Sequence, residues 1–302
     1  MSSEPSVHRP SVSRGRLAAR RIIAIGLLGA GIAVPVWLVT SALGNGEDPP
    51  APPPPPSTRA AVAARKPLRI IFPEGFTRAQ MAERITAVKG IARSKRGVRT
   101  RLSAEQYLAV TARARLPKGF VGKRRSLEGF LFPATYEFDR RTTSKQLVQE
   151  QLDAFRRSWT RVDLRYARSK NLTPYDVVVI ASMVEEEVRA PAERRLVASV
   201  IYNRLKARMP LGIDATIRYG LKVPATESLR LSHLNSPTPY NSRKYRGLPP
   251  TPITNPGLAA LQAAARPART NFRYFVRKPD KLHHFFTASA REFDRYQRAH
   301  GY

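Results

Sequence analysis

The sequence predicts an α+β protein carried on a single N-terminal transmembrane helix. Three observations point there: one long uncharged apolar segment near the start, capped helical patterns through the remainder, and a few short β-like runs standing apart from them. A length of 302 residues with 42% hydrophobic content is enough for a real core in one or two domains. The chain has no cysteine, which excludes disulfides, thiolate nucleophiles and cysteine-ligated metals.

The apolar segment runs from Ile22 to Leu43 without a charge. At about 1.5 Å per residue it is long enough to cross a hydrocarbon core of about 30 Å. It exceeds the usual apolar region of a cleaved signal peptide, so an uncleaved anchor is expected. Arg9, Arg14, Arg16, Arg20 and Arg21 precede it, and no Lys or Arg follows until Arg59. This asymmetry places residues 1–21 in the cytoplasm and everything after the span outside. The formal net charge of +31 points to an anionic partner. For a domain outside the membrane, that means lipid headgroups, wall polymers or peptidoglycan carboxylates rather than nucleic acid. The competing reading is an Arg-rich surface that only solubilises.

Residues 44–67 are proline-rich and read as a polyproline II spacer. Folded structure is expected from Leu68. LRIIF is a short strand, PEG a turn, and Thr77 the N-cap of a helix carrying Met81, Ile85 and Val88. A second helix follows Ser103, closing a small module over 68–117 in which nothing looks catalytic. From 118 the composition changes. Residues 125–138 read as loop and short strand, and 142–168 as helical. Thr173 and Pro174 then open the next helix as N-cap and first helical residue. Further helices are expected over 193–206 and 256–265, with loops across 210–255, a hairpin from FRYFVRK and HHFF, and a helix after Ser289.

The helix opened by Thr173 ends in Glu185, Glu186 and Glu187. With Val177 at 0° and about 100° per residue, Val177, Ile180, Ala181, Val184 and Val188 form one apolar stripe. Glu185 falls at about 80° and Glu187 at about 280°, on opposite borders of that stripe; Glu186, at about 180°, points to solvent. Partial burial raises a carboxyl pKa towards working pH, as a general acid requires. At either border the competing reading is a core-edge ion pair with an arginine such as Arg194 or Arg195, and helix geometry alone does not choose between the two glutamates. The histidines, His283 and His284 included, show no metal-ligand or His–carboxylate spacing, Ser182 lacks a nucleophile elbow, and no phosphate-binding glycine loop is present.

Five stretches in order carry a family resemblance: LEGFLFPATYEF at 127–138, IASMVEEEVRAPAERRLVASVIYNRL at 180–205, IDATIRYGL at 213–221, YNSRKYRGLPPTPITNPGLAALQAAARP at 240–267, and HHFFT at 283–287. Together they resemble the MltG/YceG-like family of endolytic murein transglycosylases. The resemblance implies a small LysM-like subdomain at 68–117 and a mixed helix/strand catalytic domain at 118–302. It also implies non-hydrolytic cleavage of the MurNAc–GlcNAc β-1,4 bond to leave 1,6-anhydromuramyl ends, with no metal or organic cofactor. On this resemblance the catalytic glutamate falls on Glu185, with Glu187 in support. Glu128, Asp214, Thr216, Asn241 and His283 match residues expected to line the cleft. The implied partners are peptidoglycan glycan strands, with cell-wall synthases as further candidates, at a single-pass membrane location. Two positions depart from the family pattern, Val188 and Ala215. They motivate the alternative of a non-catalytic peptidoglycan-binding scaffold.

Overall fold

Strand β1 (Leu68–Ile71) pairs antiparallel with β2 (Thr135–Phe138), setting Leu68 opposite Phe138 and Ile71 opposite Thr135. The computed structural model describes residues 67–112, 114–121 and 126–301, all inside one compact unit, Val62–Tyr302. The expected cytoplasmic tail, membrane span and spacer, up to residue 66, lie outside the described residues. Among the described residues, no helix is long and apolar enough to cross a membrane.

Helices α1 (Arg78–Arg96) and α2 (Ala104–Ala112) come after β1. Thr77 caps α1 as expected, in a reciprocal capping box with Gln80. The stretch 68–117 shares its sheet, core and hydrogen bonds with residues beyond 118. β1 has its partner in β2, the Ser103 N–H donates to Ser144 Oγ at 2.9 Å, and α2 packs on α3 (Ser144–Trp159). An aromatic cluster of Phe120, Phe130, Phe155 and Trp159 fills the space beneath.

The helical stretch expected over 142–168 consists of two helices, α3 and α4 (Arg165–Ser169). The break has a local cause: Asp163 Oδ1 accepts the Arg165 N–H at 3.0 Å while its carboxylate also holds the Arg165 guanidinium, so it competes with the helical ladder. Helix α5 (Pro174–Glu187) starts where expected, with Thr173 and Asp176 forming a capping box and Pro174 at its first position. It is not amphipathic in place. Every residue from Val177 to Glu185 is buried, with α6 (Arg194–Lys206) and α9 (Leu258–Ala265) both packed on it. A helix covered all round shows no single stripe.

The loop expected over 210–255 contains α7 (Asp214–Leu221) and the single turn α8 (Leu231–Leu234). Helix α9 is capped by Gly257, so Pro256 lies just before the cap and not at the first helical position. The hairpin is formed by β3 (Tyr274–Arg277) and β4 (His284–Thr287), and Ser289 caps α10 (Ala290–His300).

Candidate active site

Glu185 closes the buried part of α5, with only 9% of its surface exposed. The Gly257 N–H, at the N-terminus of α9, donates to its Oε2 at 2.9 Å. The Arg194 guanidinium stands 3.9 Å from Oε1, beyond hydrogen-bond range. Oε1 therefore accepts no hydrogen bond among the described residues. One oxygen is anchored and the other is open to a partner. Burial raises the Glu185 pKa above its ordinary value; the Gly257 N–H opposes this, the Glu74 carboxylate adds to it, and Arg194 and Arg189 lower it. Both readings of the Glu185 border are thus present at once: a loose arginine neighbour and a partly buried acid. Arg195 takes no part, since it binds the carbonyls of Arg266 and Pro267.

Glu186 departs from the surface position expected of it. It is half-buried, and a methyl group added to Gly75 would lie 3.3 Å from its Oε1. The reason is tertiary: the Pro73–Gly75 turn between β1 and α1 folds over the end of α5. Gly75 makes that turn at φ +82°, a conformation that favours glycine. Burial pushes the Glu186 carboxyl up to about 7 against Arg189, with Glu185 adding to the rise. Glu187, also half-buried, is raised to about 7 by burial, with Arg277 and Arg189 opposing and Asp214 and Glu186 reinforcing.

Glu128 forms a separate buried node. Its Oε1 accepts the Arg78 N–H at 2.9 Å and Asn255 Nδ2 at 2.8 Å, and its Oε2 accepts the Tyr219 hydroxyl at 3.1 Å. Asn255 is fully buried and ties three segments together. Its Nδ2 also donates to the Phe76 carbonyl, its Oδ1 accepts from Gly129 N–H and Leu131 N–H, and its carbonyl accepts from Gly75 N–H. Asn255 thereby fixes both the Gly75 turn and the start of the segment leading to Gly257. With its oxygens so occupied, Glu128 holds the walls of the site together. Nothing local marked Asn255 or Gly257, whose partners come from distant segments.

Of the other expected residues, Asp214 opens α7 in an ion pair with Arg243 at 2.6 Å. Thr216 is buried, its hydroxyl donating to the Ile213 carbonyl at 2.6 Å and lying 2.9 Å from Ser242 Oγ. Asn241 is buried and organises its own loop, donating to the Leu234 and Ser236 carbonyls. His283 sits on the hairpin turn, half-exposed beside Asp280 at 3.0 Å. Its neighbour His284 is the integrated one, buried with Nδ1 2.7 Å from Glu193 Oε2; this His–carboxylate pair joins residues too far apart for spacing to reveal. Val188 and Ala215 serve packing, Val188 buried and Ala215 half-buried against the core. No set of three or more His, Asp and Glu side chains suited to a metal ion occurs among the described residues.

The buried carboxyls give a stability prediction. Glu128, Glu186 and Glu187 rise from an ordinary 4.5 to about 7 on folding. A raised carboxyl stabilises fully below its unfolded value and loses that contribution as pH climbs through its folded value. The unfolding temperature is therefore expected to fall as pH goes from 5 to 8, by about 10 °C or more. Glu128→Gln is expected to flatten the slope, and a midpoint constant across this range would contradict the assignment.

The fold is an α+β domain with three consecutive buried or half-buried carboxyls at the end of α5. The chain belongs to the YceG-like family, which it matches over residues 57–299. It is 33% identical over 229 residues to a Streptococcus pneumoniae protein named endolytic murein transglycosylase, covering 68% of this chain and 40% of that one. A Bacillus subtilis protein of the same name is 36% identical over 152 residues, covering 50% of this chain and 42% of that one. The chain thus spans about two fifths of the length of these relatives. The crystal structure of a yceG-like protein from Listeria monocytogenes superposes with a TM-score of 0.61 at 25% identity, covering 78% of each chain.

Proposed function

We propose that the chain is a lytic transglycosylase that cuts the MurNAc–GlcNAc β-1,4 bond inside peptidoglycan strands, with Glu185 as its acid and base. The carrying observation is the Glu185 carboxyl itself: Oε2 is held by the Gly257 N–H, Oε1 accepts no hydrogen bond among the described residues, and burial favours the protonated form. Protonated Oε1 gives its proton to the glycosidic oxygen as the C1–O bond breaks. The carboxylate left behind takes the proton of the muramyl C6 hydroxyl as its oxygen closes on C1. That yields a 1,6-anhydro end, returns the proton to Glu185 and consumes no water. One carboxyl serves both steps, unlike the pair used by most glycosidases. The Gly257 N–H and the start of α9 stabilise the charge that Glu185 carries between them. The names of the similar proteins support this reading.

In the same reading, segment 22–43 anchors the chain with residues 1–21 in the cytoplasm, and the spacer holds the domain beside nascent strands whose elongation it ends. The positive charge favours anionic stem peptides and headgroups there. Incubating the full chain with purified peptidoglycan and weighing the products tests the proposal. Muramyl products lighter by one water than hydrolytic ones are expected. Strand binding with unchanged glycan length would favour a scaffold instead.

A further inference from the structure

The Pro73–Gly75 turn brings one more carboxylate to the site. Glu74 is exposed, yet its carboxyl sits directly on the Cα of Gly257, so closely that any side chain at 257 would overlap it. Gly257 is the residue whose N–H holds Glu185 Oε2. The turn is not free to swing away. Gly75 N–H donates to the Asn255 carbonyl at 3.0 Å, and Asn255 N–H donates to the Phe76 carbonyl at 3.0 Å. A methyl group on Gly75 would lie 3.7 Å from Glu185 Cγ. Among the described residues Glu74 takes part in no ion pair, so no partner cancels its charge.

We propose that Glu74 is a positioning residue for Glu185: it is seated on Gly257, the glycine whose N–H holds Glu185 Oε2, and so sets a second carboxylate beside the acid. The inference rests on the assignment of Glu185 as the acid. The charges facing Glu185 come from every neighbouring element. Glu74 lies on the β1–α1 turn, Glu186 on its own helix, Arg189 just after that helix and Arg194 on α6, while the Gly257 N–H points from the start of α9. The two arginines and the N–H favour the carboxylate. Glu74 opposes them, together with burial. Without it the positive groups pull the proton off at lower pH, and the alkaline limb of catalysis sets in earlier. Glu74 reaches Glu185 only through the field and the shared glycine, because no hydrogen bond joins the two side chains.

The test compares the full chain with Glu74→Gln and Glu74→Asp. Each protein carries 13C at its glutamate side-chain carboxyls, and the Glu185 resonance is assigned by its loss in Glu185→Gln. Glu74→Gln removes the charge at constant shape. The Glu185 titration midpoint is expected to drop by about half to one pH unit, the size of a nearby charge in a partly solvated site. The alkaline limb of glycan cleavage is expected to move down with it. Glu74→Asp keeps the charge and is expected to return the midpoint most of the way. A purely structural role for Glu74 would shift the unfolding temperature in both variants and leave the midpoint in place. An unchanged midpoint in Glu74→Gln overturns the inference, whatever the activity. A lowered midpoint in Glu74→Gln, when the unsubstituted chain cuts no glycan, would uphold the effect of Glu74 on Glu185 and defeat the transglycosylase reading instead.

Discussion

Glu185→Gln is expected to lower glycan cleavage by about 10²–10⁴-fold while leaving the fold intact. Glutamine is the same shape, and its amide oxygen still accepts the Gly257 N–H that now meets Oε2. What it lacks is the proton that Oε1 must give and the basicity to take one back. The measurement is the yield of anhydromuramyl ends by mass, beside thermal unfolding of the same sample. Glu186→Gln is the matched comparison, because Glu186 lies under Gly75 and its substitution leaves the Gly257 contact in place. Full activity in Glu185→Gln with an unaltered product would remove Glu185 from the reaction altogether.

The largest effect on stability is expected at Asn255, which the sequence places in an unremarkable Thr-Asn-Pro-Gly run. Asn255→Ala removes four side-chain hydrogen bonds at once, to the Phe76 carbonyl, to Glu128, and from Gly129 and Leu131. Two buried N–H groups and a buried carboxyl are left short of a partner, at about 1–3 kcal/mol for each group so stranded. Relaxation and water entry recover part of this. A loss of about 3–5 kcal/mol is expected, or about 10 °C in unfolding temperature for a domain of this size. Activity should fall with it, since Asn255 sets both the Gly75 turn and the approach to Gly257. A change within about 1 kcal/mol would show that the four bonds are not cooperative.

Local chemistry was legible and tertiary chemistry was not. Thr77, Thr173 and Ser289 each announced a helix, because a cap is made within four residues of itself. The hairpin was legible for the same reason. Helical spacing correctly placed Glu185 at a border of burial, but it treated α5 as a helix with one covered side. With α6 and α9 packed on α5 and the Gly75 turn over its end, Glu186 could not remain at the surface. The split between α3 and α4 turned on Asp163 bonding its own neighbour, a choice that periodicity does not register. His283 and His284 are adjacent in sequence, and only the packing of β4 decides which of them turns inward to Glu193. Glu74, Asn255 and Gly257 lie on loops and meet only when segments from opposite ends of the domain converge.

The convergence of these loops has a consequence for synthesis. Residue 74 is made early, residue 185 midway and residues 255–257 late, and the site needs all three. A chain still emerging from the ribosome carries Glu185 without the N–H that anchors it. Long-range closures of this kind are the slow steps of folding, because distant segments must meet before any contact rewards them. Glu185 therefore gains its Gly257 partner only after the growing chain has passed residue 257, and a truncated product that ends before Gly257 is expected to be inert.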